Sequence, residues 1–210
     1  MGKENMRNKI IGIFVCMLLI TTILPITAIA GDEQNPEIQD TPENDVFPYL
    51  DIISAWFFEK SNEPGYLFTS LKLTEITGYR FKQHLTIGWE HNGIECAAGL
   101  FIGYGKPWFA FDAGYGHGWW FQEHYINISG EYNQSTGIFT CKIPKEVINN
   151  PKQGDVLTNT YALTFQRFGF IGRLGFNRIF LPSLIYSIFK KSIRDIAPDT
   201  GYGKDYIIQY

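Results

Sequence analysis

The residues between positions 108 and 123 are the part of this sequence best suited to binding a ligand. Aromatic rings offer flat apolar faces, and polar side chains beside them can orient a bound molecule. Glycines at 114, 116 and 118 predict a loop that lets a ring reach the surface. The alternative is that these rings fill the core. The candidate ligand-binding residues are Trp108, Asp112, Tyr115, His117, Trp119, Trp120 and Glu123.

A second candidate site is a set of carboxylates near the C-terminal end. Asp195, Asp199 and Asp205 flank a glycine-containing turn, and hard cations such as Ca²⁺ bind several oxygen ligands of this kind. The spacing matches no EF-hand loop, so the alternative role for these residues is turn formation. His117 and His124, with Glu123 between them, match no common zinc spacing.

Cysteines and asparagines offer two covalent modifications. Cys96 and Cys141 both lie in apolar, strand-like stretches, and they either form a disulfide in an oxidising compartment or stay as two buried thiols. Asn127 and Asn133 each begin an Asn-x-Ser sequence, which is an acceptor for N-glycosylation in an exported chain.

No enzyme motif is recognisable. The sequence contains no nucleophile elbow, zinc-protease motif or phosphate-binding loop. A hydrolase would need two of the carboxylates Glu90, Glu95, Asp112 and Glu123 to face each other across a cleft. We therefore expect a protein that is not an enzyme and has no cofactor, apart from the calcium considered above.

The N-terminal end predicts export. Lys3, Arg7 and Lys9 precede an uncharged apolar run over residues 10–24, and Ala28-Ile29-Ala30 supplies a cleavage site, so residues 1–30 read as a signal peptide. The alternative is an uncleaved anchor, which would be the chain's one contact with a membrane. The localisation implied is secreted or associated with the cell surface.

The rest of the chain divides into a polar segment and one domain. Residues 31–45 are rich in acidic and amide side chains and predict a disordered linker, whereas residues 46–210 are of single-domain length. Without residues 1–30 the chain carries 15 basic and 20 acidic residues. An acidic balance with no basic patch argues against a nucleic-acid partner.

Short runs with alternating apolar residues and turn sequences between them predict an all-β fold. Residues 51–58 and 66–73 read as a hairpin, as do residues 85–90 and 94–104 around Asn92-Gly93, a pair typical of type I′ turns. Further strands are expected over residues 108–111, 126–132, 138–143, 156–165 and 205–210. We expect a single antiparallel β-sandwich, similar to a jelly roll.

Two helical features are expected within this β fold. Residues 144–149 begin with proline and predict one helical turn. Residues 179–193 have apolar side chains at helical spacing and basic residues at the end, which predicts a late amphipathic helix. That helix packs on the domain or lies on a membrane surface.

Two segments resemble a known group of β-sandwiches. Residues 51–71 form an opening strand and hairpin, and residues 139–157 (FTCKIPKEVINNPKQGDVL) run from a strand through a proline-led turn into a Gly-Asp loop. This layout resembles the DOMON-like sandwiches, which include the family 9 carbohydrate-binding modules, and residues 197–206 are similar to exported archaeal proteins. The resemblance implies a sandwich that binds a sugar or haem. Its haem mode uses methionine, and here Met1, Met6 and Met17 all lie in the predicted signal segment.

These features predict an exported, non-catalytic binding module whose partner is a carbohydrate or an envelope polymer. The alternative is a structural or protein-interaction module of the cell envelope, and a hydrolase is a third hypothesis. Aromatic rings gathered on one exposed face would favour the first, and rings buried in the core would favour the second.

Overall fold

The computed structural model describes residues 31–76, 82–103, 107–114, 125–167 and 194–210. The predicted signal peptide and the predicted helix over residues 179–193 lie outside the described residues. The described chain contains one 3-10 helix, Lys145–Ile148, and the following strands: β1 Ile38–Gln39, β2 Ile52–Phe58, β3 Tyr66–Leu73, β4 Lys82–His91, β5 Ile94–Ile102, β6 Trp108–Gly114, β7 Ile126–Asn133, β8 Ile138–Pro144, β9 Val156–Arg167, β10 Arg194–Ala197 and β11 Tyr206–Ile207.

The strands form one continuous antiparallel sheet, so the prediction of an all-β fold is confirmed. Its order is β1-β2-β3-β8-β7-β6-β5-β4-β9-β10, and β11 also pairs with β9. The sheet curls, and its two halves meet around a common core. Phe57 of β2 packs edge-on against Trp89 of β4, with ring centroids 5.5 Å apart. The Tyr206 ring of β11 also contacts Phe57, with ring centroids 5.6 Å apart.

The hairpins follow from local sequence. In β3 the side chains of Leu67, Leu71 and Leu73 lie on one face of the strand, and all three are buried in the core. Between β4 and β5, Asn92 and Gly93 have φ angles of 52° and 76°, as a type I′ turn requires. These predicted hairpins are therefore confirmed.

The helical turn after β8 is also confirmed. Pro144 has an extended backbone and precedes the 3-10 helix, and Asn149 ends it in the left-handed region with φ of 66°. Because proline fixes φ and needs no hydrogen-bond acceptor for its nitrogen, it suits a helix start.

The prediction that residues 31–45 are a disordered linker is wrong for its middle part. Ile38 is fully buried, and β1 pairs with β2 so that Ile38 lies opposite Ala55. The Glu37 carboxylate accepts a hydrogen bond from the backbone N–H of Phe57 at 2.9 Å. The Asp40 N–H also donates a hydrogen bond to the Ile53 carbonyl at 3.0 Å, so the segment is attached to the sheet although its average composition resembles that of a linker.

Strand β10 was not predicted. It pairs with β9 so that Arg194 lies opposite Phe165 and Ala197 opposite Ala162. Its four residues are too few to show an alternating pattern.

Within the described residues, no helix has both the length and the apolar character needed to cross a bilayer.

Candidate binding face

Strand β6 turns two sets of side chains to opposite faces of the sheet. Phe111 and Phe109 pack into the core or against it. Trp108 and Asp112 alternate with them and therefore point away from the core, where both are partly exposed. The structure thus brings these two predicted ligand residues onto one face.

A row of rings crosses this outer face from β6 to β9. Trp108, Phe101, His84 and Phe165 lie directly opposite one another in adjacent strands. The Trp108 and Phe101 rings stack with centroids 4.4 Å apart. His84 meets Phe101 edge-on at 4.8 Å and stacks on Phe165 at 4.4 Å. Cross-strand aromatic pairs of this kind hold one another in position, so Trp108 is fixed against the sheet.

The beginning of β7 completes the accessible end of this row. The Tyr125 ring lies 5.0 Å from the Trp108 ring, and 46% of Tyr125 is exposed. Asn127 is exposed and pairs with Ala110, the residue midway between Trp108 and Asp112. We call Trp108, Asp112, Tyr125 and Asn127 the binding face. It combines two rings with a carboxylate and an amide.

The remaining predicted ligand residues lie outside the described residues. These are Tyr115, His117, Trp119, Trp120 and Glu123. Sequence reasoning did not name Tyr125, and it gave Asn127 only as a glycosylation acceptor. The register of β6 with β7 decides that these two residues border Trp108, and no local pattern reports that register.

Two of the four carboxylates considered for a glycosidase pair, Glu90 and Glu95, are engaged in hydrogen bonds, and Glu123 lies outside the described residues. Glu90 and Glu95 lie opposite each other on β4 and β5. Glu90 accepts a hydrogen bond from Asn159 at 2.9 Å, and Glu95 accepts one from the Tyr161 hydroxyl at 2.8 Å. Burial, together with the hydrogen bond to Glu95, raises the pKa of Tyr161. These contacts tie β9 to the hairpin of β4 and β5.

The proposed calcium ligands are not arranged as a metal site. Asp195 is buried and its carboxylate accepts hydrogen bonds from the backbone N–H groups of Ile52, at 2.7 Å, and Ile196, at 2.8 Å. Asp199 and Asp205 are exposed. Among the residues that the structure describes, no group of three His, Cys, Asp or Glu side chains could hold a metal ion. Asp195 instead ties β10 to β2.

Carboxyl groups near Asp195 have raised pKa values. Burial, and then the charge of Asp195 and its acidic neighbours, raises the pKa of Asp40 to about 6. The same causes raise the pKa of Glu43 to about 7. Asp51 supports this corner through hydrogen bonds from the backbone of Glu43 and the hydroxyl of Thr74, at 3.1 and 2.6 Å. Crowded acids of this kind favour protonation.

The two cysteines do not form the proposed disulfide in this structure. Both are free and buried, Cys96 in β5 and Cys141 in β8. Burial raises the pKa of the Cys96 thiol to about 12, and burial also raises that of Cys141. The structure therefore agrees with the alternative of two buried thiols packed as small apolar groups.

A buried ion pair attaches the end of the chain. Lys145 contacts the carboxylate of Glu59, and both side chains are almost completely buried. The same carboxylate accepts hydrogen bonds from the Tyr206 hydroxyl at 3.2 Å and from the backbone of Gln209 at 2.6 Å. The Glu59–Lys145 pair thus links β2, the 3-10 helix and β11.

We compared the chain with protein-family models, with curated proteins and with solved structures, and no match was found in any of the three.

Proposed function

We propose that this protein is an exported, non-catalytic module that binds carbohydrate through the binding face of Trp108, Asp112, Tyr125 and Asn127. The observation that carries the proposal is the pairing of Trp108 with the exposed Tyr125 ring, 5.0 Å away, beside polar groups. The sheet register keeps these groups on one face.

The chemistry of the face suits a sugar. A pyranose ring has an apolar side of C–H groups, which packs on an aromatic ring, and an edge of hydroxyls, which needs donors and acceptors. Trp108 and Tyr125 supply the apolar surface, Asp112 accepts hydrogen bonds, and Asn127 both donates and accepts them. Because Trp108 is held by stacking on Phe101, little side-chain entropy is lost when a ligand binds.

The compartment belongs to the same proposal. The basic start, apolar run and cleavage site of residues 1–30 support export, with the domain secreted or held at the cell surface. The partner would then be a glycan or polysaccharide of the cell envelope.

The test is binding of the full chain to a glycan array and to insoluble polysaccharides. Trp108→Ala is the principal variant, and Tyr202→Ala is the matched control, because Tyr202 is an aromatic residue with 61% exposure outside the binding face. Loss of a central aromatic contact costs about 2 kcal/mol or more, which is about a 30-fold loss of affinity. Thermal unfolding of each variant checks that it is folded. Absence of binding by the wild type, or equal binding by Trp108→Ala, would refute the proposal.

A second candidate function is supported by a different observation. Ile126 lies opposite Phe111, on the face of the sheet away from Tyr125, and this large apolar side chain is 45% exposed. An exposed apolar side chain of this kind suits a protein interface of the envelope. In that case Ile126→Ser would weaken association with the partner, and soluble polysaccharide would not compete.

A further inference from the structure

The glycosylation sequence that begins at Asn133 runs into the turn between β7 and β8, whereas the one that begins at Asn127 lies within β7. Asn133 ends β7, and its side-chain oxygen accepts hydrogen bonds from the backbone N–H of Ser135 at 2.9 Å and from the Ser135 hydroxyl at 2.7 Å. All three residues of this sequence, Asn133, Gln134 and Ser135, are exposed.

We propose that Asn133, and not Asn127, is the site of N-linked glycosylation in this protein. The inference depends on export, which is part of the proposed function, because the modification takes place outside the cytoplasm. It does not depend on carbohydrate binding.

The first argument is chemical. An amide nitrogen is a poor nucleophile because its lone pair is delocalised into the carbonyl group. Hydrogen bonds to the amide oxygen stabilise the charge that develops there as the nitrogen loses a proton, in the way that oxyanion donors do. At Asn133 both donors come from Ser135, the residue that completes the acceptor sequence.

The reaction is a transfer from an activated sugar. Nδ2 of Asn133 forms a bond to the anomeric carbon of a lipid-linked pyrophosphoryl saccharide as the bond from that carbon to the pyrophosphate oxygen breaks. The pyrophosphate leaves with the bonding electron pair, and a base of the transferase takes the Nδ2 proton. No electrons are transferred to or from an external reagent.

The second argument is accessibility. Asn133 borders an open groove of about 760 Å³ that extends from the turn to Glu131 and Thr140 on the outer face. A backbone hydrogen bond from the Gly137 N–H to the Asn133 carbonyl, at 3.1 Å, closes the turn, and the Gly137 carbonyl accepts one from the Leu73 N–H at 2.9 Å. Gln134 and Ser135 of the acceptor sequence remain exposed. A transferase can therefore engage this sequence with no strand displaced.

Asn127 is also exposed, but it lacks the hydrogen bonds from its serine and does not lie beside a turn. It lies within β7 and pairs with Ala110 of β6. In an extended strand Asn127 and Ser129 lie about 7 Å apart, too far for the hydrogen bonds seen at Asn133. In the described part of the chain, Ser129 makes no hydrogen bond to Asn127. A glycan there would also cover Trp108, whereas Asn133 is about 20 Å further along the strand at about 3.3 Å per residue.

The experiment is expression of the full chain, with residues 1–30, in a cell that carries out N-glycosylation, followed by intact-mass measurement of the exported protein. We expect one glycan on the wild type, its loss in Asn133→Gln and Ser135→Ala, and its retention in Asn127→Gln, Ser129→Ala and the conservative Ser135→Thr. The same two substitutions, Asn to Gln and Ser to Ala, are thus made in both acceptor sequences, so each sequence is the control for the other.

Three results would overturn the inference. Exported protein whose mass equals that of the polypeptide alone would show that no glycan is attached. Loss of the glycan in Asn127→Gln would show that Asn127, and not Asn133, is the modified residue. Retention of the chain in the cytoplasm would remove the premise and with it the inference, and cell fractionation identifies this result separately. Glycan-array binding by unglycosylated protein would support the proposed function while leaving this inference refuted.

Discussion

Glu37 should make the stability of this domain fall as the pH rises from 5 to 8. Its side chain is buried at the edge of β2, where it accepts a hydrogen bond from Phe57, and Gly31 packs directly against the carboxyl group. Burial raises the pKa of Glu37 from its ordinary value of 4.5 to about 7, although the hydrogen bond from Phe57 opposes this shift. The folded state therefore favours the neutral acid.

The sign and size of the effect follow from linkage. A carboxyl group whose pKa is higher in the folded state stabilises the fold below its unfolded pKa, and that contribution is lost as the pH rises through the folded pKa. With pKa values of 4.5 unfolded and about 7 folded, the loss between pH 5 and pH 8 is about 2.5 kcal/mol. Asp40 and Glu43 act in the same direction, because their pKa values are also raised.

The assay is urea unfolding at pH 5 and at pH 8 for the wild type, Glu37→Gln and Glu146→Gln, each with residue 30 still attached. A charged amino group on Gly31 would lie against the Glu37 carboxyl group and lower its pKa. Glutamine cannot ionise, so Glu37→Gln should reduce the pH dependence by about 2.5 kcal/mol. Glu146 is exposed on the 3-10 helix, and its replacement should leave the pH dependence at the wild-type value. The pKa values of Asp155 and Glu63 are lowered in the folded protein, so the contribution of these carboxylates to its stability is lost only at more acidic pH. The reasoning fails if Glu37→Gln and the wild type show equal pH dependence.

Two further predictions concern buried groups. Lys145→Met leaves the Glu59 carboxylate buried without its cation, so it should lower the free energy of unfolding by about 3–5 kcal/mol. The control is Lys72→Met, which removes the cation of the partly exposed pair with Glu33 and should lower the free energy of unfolding by less than about 1 kcal/mol. Denaturant unfolding of both variants measures this, and equal losses would contradict it. Cys96 and Cys141 should not react with a thiol reagent in the folded protein, and both should react once it is unfolded. Rapid reaction of either residue at pH 8 before unfolding would contradict the burial described here.

Trp108 shows how the sequence alone can give a useful partial answer about a site. Its type and its glycine-rich neighbourhood singled it out for binding, and in the structure the alternation of β6 turns it away from Phe109. The partners of Trp108 could not be predicted, because Phe101, Tyr125 and Asn127 reach it through the pairing of three strands.

The sequence by itself determined the local structure of this protein. Alternation of apolar residues established β3 between Tyr66 and Leu73, and Asn92-Gly93 determined the hairpin of β4 and β5. These features depend on backbone preferences and on a two-residue period, which act over a few neighbouring positions.

Only the tertiary structure decided how the strands combine. The pairings of β3 with β8 and of β4 with β9 join segments far apart in the sequence, and they follow from how well the whole core packs. The same packing attaches Ile38 within an otherwise polar segment and keeps Cys96 and Cys141 as free thiols. A buried position depends on every surface that covers it, and no short stretch of sequence contains that information.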